Sequence, residues 1–137
     1  MQLHRSGEDY LKSILILQQE HDAVRCVEIA ERLGVSRPSV TRAVKLLQTG
    51  GLLDVDADRH IRLTEPGRAH AEQIYERHRT LAALLRSIGV DDATAEKDAC
   101  QIEHGISQAT FEKIRQWLQN VNARPPEPGS ALAAGAD

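Results

Sequence analysis

Over most of the chain, apolar positions recur at intervals of three and four residues, a spacing that predicts helices. Residues 8 to 20, EDYLKSILILQQE, set Leu11, Ile14, Leu15 and Ile16 among good helix formers, with Ser6 available as a cap. In the following stretch, VRCVEIAERLGVSRPSVTRAVKLLQTGG, Val27, Ala30 and Leu33 make one short helical face and Gly34 supplies a tight turn. Ser36 caps a second helix with Pro38 in its first turn, Val40, Val44 and Leu47 form its buried stripe, and Gly50 and Gly51 stop it. Two helices about a short glycine-containing turn, with a small Ala30 where their axes come close, have the spacing of a helix-turn-helix.

The period then shortens. Leu52, Leu53 and Val55, then Ile61 and Leu63, are two β-compatible runs flanking the polar turn DADRH, which predicts a hairpin wing. From residue 65 to 88 the composition is helical again, with Pro66 admissible in the first turn and Ile74, His78, Leu81 and Leu85 along one side. Gly89 breaks this helix, Asp91 or Asp92 caps the next, and Ser107 caps a last one with the stripe Phe111, Ile114, Trp117 and Leu118. The expected fold is mostly α: a winged helix-turn-helix domain over residues 1–64, then a linker helix and an all-helical domain over 65–122. Residues 123–137, holding three of the five prolines, read as a disordered tail. The apolar faces around Leu84, Leu85, Ile102, Ile106, Phe111 and Trp117 exceed what a small helical unit needs, so this half is expected to form a homodimer.

Composition sharpens this picture. Aromatic residues are only 3% of the chain, so the core is built from Leu, Ile, Val and Ala, which suits helices more than a sheet sandwich. A net charge of −3 gives no global attraction to nucleic acid. Between Arg32 and Lys45, however, lie Arg37 and Arg42 and no Asp or Glu. On this local positive face the helix-start amides, the cations and the hydroxyls of Ser36, Ser39 and Thr41 suit phosphate binding. Arg37 and Arg42 are candidates for guanine edges in the major groove of duplex DNA, and Pro38 for a thymine methyl. In the wing, Asp54, Asp56 and Asp58 repel phosphate, leaving Arg59, His60 and Arg62 on the return side as the candidates for the backbone. The plainer reading, a helical hairpin with a solvated basic side, leaves the adjoining wing unexplained.

The two cysteines, Cys26 and Cys100, form no Cys-x-x-Cys pair, and neither a signal peptide nor a run of membrane-spanning length is evident. A cytoplasmic protein with reduced thiols and no membrane association is expected. Cys100 lies in CQIEH, where Cys100, Glu103 and His104 fall within about 100° of helical arc and can reach one ion. His78 and Asp9 are further donor candidates; against this, His104 can be a hydrogen-bonded core residue and Glu103 a solvated one. Thiolate, imidazole and carboxylate together suit a transition ion rather than calcium or magnesium, and thiolate favours Fe²⁺, Co²⁺, Ni²⁺ or Zn²⁺ over the harder Mn²⁺. An enzyme with Cys100 as nucleophile and His104 as base is a rival, but no glycine-rich oxyanion loop lies nearby. A metal-independent winged-helix regulator is the other.

The order of first helix, helix-turn-helix, wing, long helix with ERHRTLAALL and then DACQIEHGIS resembles the DtxR/MntR family of metal-dependent transcriptional repressors. The resemblance spans residues from about 6 to 120 and implies the short form of that family, without the SH3-like domain. It implies a corepressor metal linking the DNA-binding part to a helical dimerisation part, and a homodimer addressing a palindromic operator. Asp9, His78, Cys100, Glu103 and His104 fall at family ligand positions, and Glu96 where some iron sensors place an ancillary ligand. Asp9 is manganese-like and Cys100 iron-like, while Lys12 and Ala82 stand where other members carry further carboxylates. We therefore place Fe²⁺ slightly ahead of Mn²⁺ as the cofactor, with Zn²⁺, Co²⁺ or Ni²⁺ able to bind in vitro.

Overall fold

The computed structural model describes residues 5–123; the expected tail lies outside the described residues but for Ala123, which closes the last helix. Its elements are α1 (Arg5–Glu20), α2 (Cys26–Leu33), α3 (Arg37–Thr49), β1 (Leu53–Val55), β2 (Ile61–Leu63), α4 (Glu65–Ser87), α5 (Asp92–Ile102) and α6 (Gln108–Ala123). Two compact units divide within α4, after Tyr75.

In the first unit, α1 starts earlier than its apolar pattern, so Ser6 lies inside the helix and is not its cap. Ser6 and Gly7 accept helical angles there, and Arg5 pairs with Asp9 at 3.9 Å across the same turn. In α2 the buried face also differs from the expected one. Ile29 and Ala30 are buried with Cys26 and Leu33 packed beside them, whereas Val27 is exposed. Positions 26, 29, 30 and 33 keep the helical spacing, and Val27 falls off that stripe.

Gly34 ends α2 with φ 68, and its amide donates to the Ala30 carbonyl at 2.8 Å. That left-handed geometry is one that side-chain-bearing residues rarely adopt. Ser36 Oγ accepts from the Ser39 amide at 3.2 Å, capping α3, and Val40, Val44 and Leu47 are buried along it. β1 and β2 pair antiparallel with Leu53 opposite Leu63 and Val55 opposite Ile61. β2 is tied to α1 and to the link between α1 and α2: the Ile61 amide donates to the Val24 carbonyl at 2.7 Å and the Leu63 amide to Gln18 Oε1 at 3.0 Å. Gly67 admits α4 against the wing's root, because a Cβ there would meet the Leu52 carbonyl oxygen at 1.9 Å. The core of this unit centres on Leu11, Ile14, Ile29, Val40, Leu53 and Ile61.

In the second unit, Asp91 Oδ2 caps α5 by accepting from the Thr94 amide at 3.1 Å, and Ser107 Oγ caps α6 by accepting from Thr110 at 3.1 Å. Leu81, Ala82 and Ala99 form its core, with Ile106 and Ile114 packed against them. Phe111 is fully buried, which removes it from the surface set expected of a dimer face. Trp117 is 46% exposed and, with Leu84, Ala109, Thr110, Lys113 and Ile114, lines an open apolar groove. Among the described residues no helix is long and apolar enough to cross a membrane.

Candidate metal centre and DNA-reading face

Three secondary-structure contexts converge in the second unit. His78 projects from the middle of α4, Cys100 from the last turns of α5, and Glu103 is the residue on which α5 ends. Donor atoms of His78, Cys100 and Glu103 lie within 4.8 Å of one another. Glu103 is completely buried, and its carboxylate is held by two rings: Oε1 lies 2.9 Å from His78 Nδ1 and Oε2 lies 3.2 Å from His104 Nε2. The other His78 nitrogen, Nε2, lies 2.7 Å from Glu96 Oε1, and Arg86 reaches Glu96 Oε2 at 3.3 Å. Its hydrogen bond to His78, with lesser help from Arg86, holds the Glu96 carboxyl below its usual range.

This donor set fits a transition ion. A carboxylate taken wholly out of water is costly unless it is paired or coordinates a cation. Two imidazoles offset that cost, and a thiol is brought into the same cluster. Nitrogen, sulfur and oxygen donors in one partly buried spot are the mixture that borderline divalent ions take. A ligating ring nitrogen carries no proton. Were His78 a ligand, one of its two carboxylate contacts would give way to the ion and the other would keep the ring oriented, as outer-sphere carboxylates do for ligating histidines.

Of the predicted ligands, the second unit thus gathers His78, Glu96, Cys100, Glu103 and His104. Asp9 lies on α1 in the first unit. Sequence reasoning passed over Arg77, whose guanidinium binds the chain segment carrying Glu103; nothing in its local pattern marks it apart from its place beside His78.

In the first unit, Arg37, Pro38, Thr41, Arg42 and Lys45 are exposed on α3, and Ser36 and Ser39 stand at its start. Their hydroxyls are 2.9 Å apart, and Arg42 Nη2 lies 3.5 Å from Ser39 Oγ. Thr41 Oγ1 donates to the Arg37 carbonyl at 3.0 Å. In the wing, Asp56 organises the turn: Oδ1 accepts from the amides of Asp58 at 2.8 Å and His60 at 2.9 Å, and Oδ2 from Arg62 Nη1 at 2.9 Å. These bonds, the His60 amide first and Arg62 next, lower the Asp56 carboxyl to about 2. Arg62 is therefore engaged within the wing, while Arg59, at φ 65, projects from the exposed tip.

Residues 2–61 match the iron dependent repressor N-terminal DNA binding domain, and residues 64–127 the iron dependent repressor metal binding and dimerisation domain. The transcriptional regulator MntR of Escherichia coli is 35% identical over 117 residues, covering 85% of this chain and 76% of MntR. The iron-dependent repressor IdeR of Mycobacterium tuberculosis is 36% identical over 126 residues, covering 89% of this chain and 55% of IdeR. A solved manganese-dependent transcriptional repressor in complex with manganese superposes with a TM-score of 0.76 at 30% identity, over 82% of this chain and 52% of that one. These relatives are regulators and not enzymes, which sets aside the Cys100/His104 nucleophile reading. With a DNA-binding domain, a metal-binding and dimerisation domain and this similarity along nearly its whole length, the chain belongs to the DtxR/MntR family of metal-dependent transcriptional repressors.

Proposed function

We propose that this repressor is switched on by a divalent transition ion, Fe²⁺ slightly ahead of Mn²⁺, to silence genes of metal homeostasis in the cytoplasm. The convergence of His78, Cys100 and Glu103 carries the reading, because its thiolate favours iron over the harder manganese. His104 is the fourth donor of the helical half, residues 65–122, Glu96 is ancillary, and Asp9 is contributed by the DNA-binding half, residues 1–64. The iron-dependent IdeR and the manganese-bound repressor are both similar to this chain, which supports the pair of metals named.

With Asp9 as a ligand from α1, metal affinity and DNA affinity are linked: whichever arrangement of the two halves binds the ion better is favoured by it. Such coupling is typically ~1–3 kcal/mol, and operator DNA must tighten metal binding by the same factor. The metal would act as a corepressor and supply no bond-making chemistry. Arg37, Arg42 and Pro38 read base edges from α3, while Ser36, Ser39, Thr41, Lys45, Arg59 and Arg62 serve the phosphates. A homodimer formed through the apolar groove beside Trp117 would present two such heads to a palindromic operator.

The hydrogen bonds that already satisfy Glu103 are what a metal-independent winged-helix regulator would also show. Operator binding titrated with Fe²⁺, Mn²⁺, Zn²⁺ and Co²⁺ without oxygen, and then with chelator, separates the two. Metal-independent affinity for the operator would refute the corepressor reading.

A further inference from the structure

Arg77 precedes His78 on α4, so the two side chains leave the same helical turn about 100° apart. Both end on Glu103. His78 meets its carboxylate at 2.9 Å, and Arg77 Nη1 donates to its backbone carbonyl at 3.2 Å. The same Nη1 donates to the Ile106 carbonyl at 3.0 Å, and Nη2 to Gln108 Oε1 at 2.7 Å. The guanidinium lies over the Phe111 ring, 5.5 Å from its centroid. One cation therefore spans the turn between α5 and α6.

We propose that Arg77 is a positioning residue of the metal centre, setting where the Glu103 and His104 donors stand relative to His78 and Cys100; this rests on the metal reading above. The physical need is specific. Glu103 is where α5 stops: its amide still donates to the Ala99 carbonyl at 2.9 Å, the helix continues no further, and two donor residues follow one another there. His78 and His104 hold the carboxylate end of Glu103 at 2.9 and 3.2 Å, and Arg77 holds its carbonyl end. A cation beside the closing carbonyls of a helix is favourable, and the planar fork addresses several acceptors at once, which an ammonium cannot do in the same geometry. The ring of Phe111 supports the guanidinium from below. The Arg77 side chain then holds a ligand-bearing segment without itself offering a donor to the ion.

The test uses the full-length protein, metal-free and titrated with Co²⁺, whose thiolate charge-transfer and d–d bands report the ligand geometry. Arg77→Met is expected to weaken Co²⁺ about 10- to 100-fold, the usual scale for outer-sphere partners, and to alter the d–d bands, with helix content of the metal-free protein unchanged. Arg77→Lys should recover part of the affinity. An Arg77→Met protein with the parent isotherm and spectrum overturns the proposal. Should that variant fail to fold, Gln108→Ala removes only one of the three acceptors and is expected to weaken Co²⁺ a few-fold; no change there overturns the proposal equally. A wild-type protein without a thiolate band, or one whose band survives Cys100→Ser, would sink the metal centre and the role of Arg77 with it. A normal wild-type band with indifferent variants would sink the role of Arg77 alone.

Discussion

His78 and Glu103, 25 residues apart in the chain, meet at 2.9 Å with the carboxylate wholly buried and the ring nearly so. Glu103→Gln keeps the shape and removes the charge that an ion would use. Its Co²⁺ or Mn²⁺ affinity is expected to fall at least ~100-fold, more than for loss of an outer-sphere partner. Isothermal titration of the metal-free variant checks this, and an unchanged isotherm would place the ion elsewhere.

Cys100→Asp exchanges a soft donor for a hard one at the same site. The variant is expected to lose affinity for Co²⁺ and Zn²⁺ relative to Mn²⁺. Competition between Mn²⁺ and Co²⁺ measured by metal analysis is the readout, and an unaltered ratio would remove Cys100 from the ligand set.

Asp9→Ala tests the proposed link between the metal and the DNA-binding half. The variant should keep its helix content and lose most of the metal stimulation of operator binding, a coupling of ~1–3 kcal/mol. Fluorescence anisotropy with and without Mn²⁺ decides it; full stimulation would dismiss the link between the halves.

Arg42→Ala acts at the other end. Operator affinity is expected to drop by ~1–3 kcal/mol, with the metal isotherm unmoved, if Arg42 addresses a base edge. Equal loss on random duplex would reduce it to a phosphate contact.

Asp56 gives the wing an acid limit. Its folded-state carboxyl is lowered from 3.8 to about 2, so its contribution is present above the unfolded value and lost as pH falls through that window. Arg62 at 2.9 Å and the titratable ring of His60, Nδ1 at 3.5 Å, face it. Amide protection of residues 58 and 60 should decline between about pH 4 and pH 2. Asp56→Asn should flatten that decline, and an unchanged profile would transfer it to other carboxylates.

Local signals carried much of this. The Ser36 and Ser107 caps, the Gly34 turn and the stripe Val40, Val44 and Leu47 stand where the pattern puts them, because each is decided within one or two helical turns. The face of α2 departs from the expected one at Val27 because an eight-residue helix offers too few turns for its stripe to be unique. Gly67 gave no local hint of its reason, since the carbonyl it must clear belongs to Leu52. The candidate metal centre was half legible. Cys100, Glu103 and His104 share one turn and His78 rides an amphipathic helix, but their approach is long-range, and so is the reach of Arg77 across 31 residues to Gln108. Spacing along one helix says nothing of which turn of another helix will face it.

The hairpin between β1 and β2 is short, and a single carboxylate sets the shape of its tip. Such a loop carries its own scaffold, so its ordering entropy is lost during folding and little remains to be lost at a phosphate surface. Encounter with a duplex would then be a docking of ready-formed parts. On the corepressor reading proposed above, the ion would act on parts already shaped and would not have to shape them.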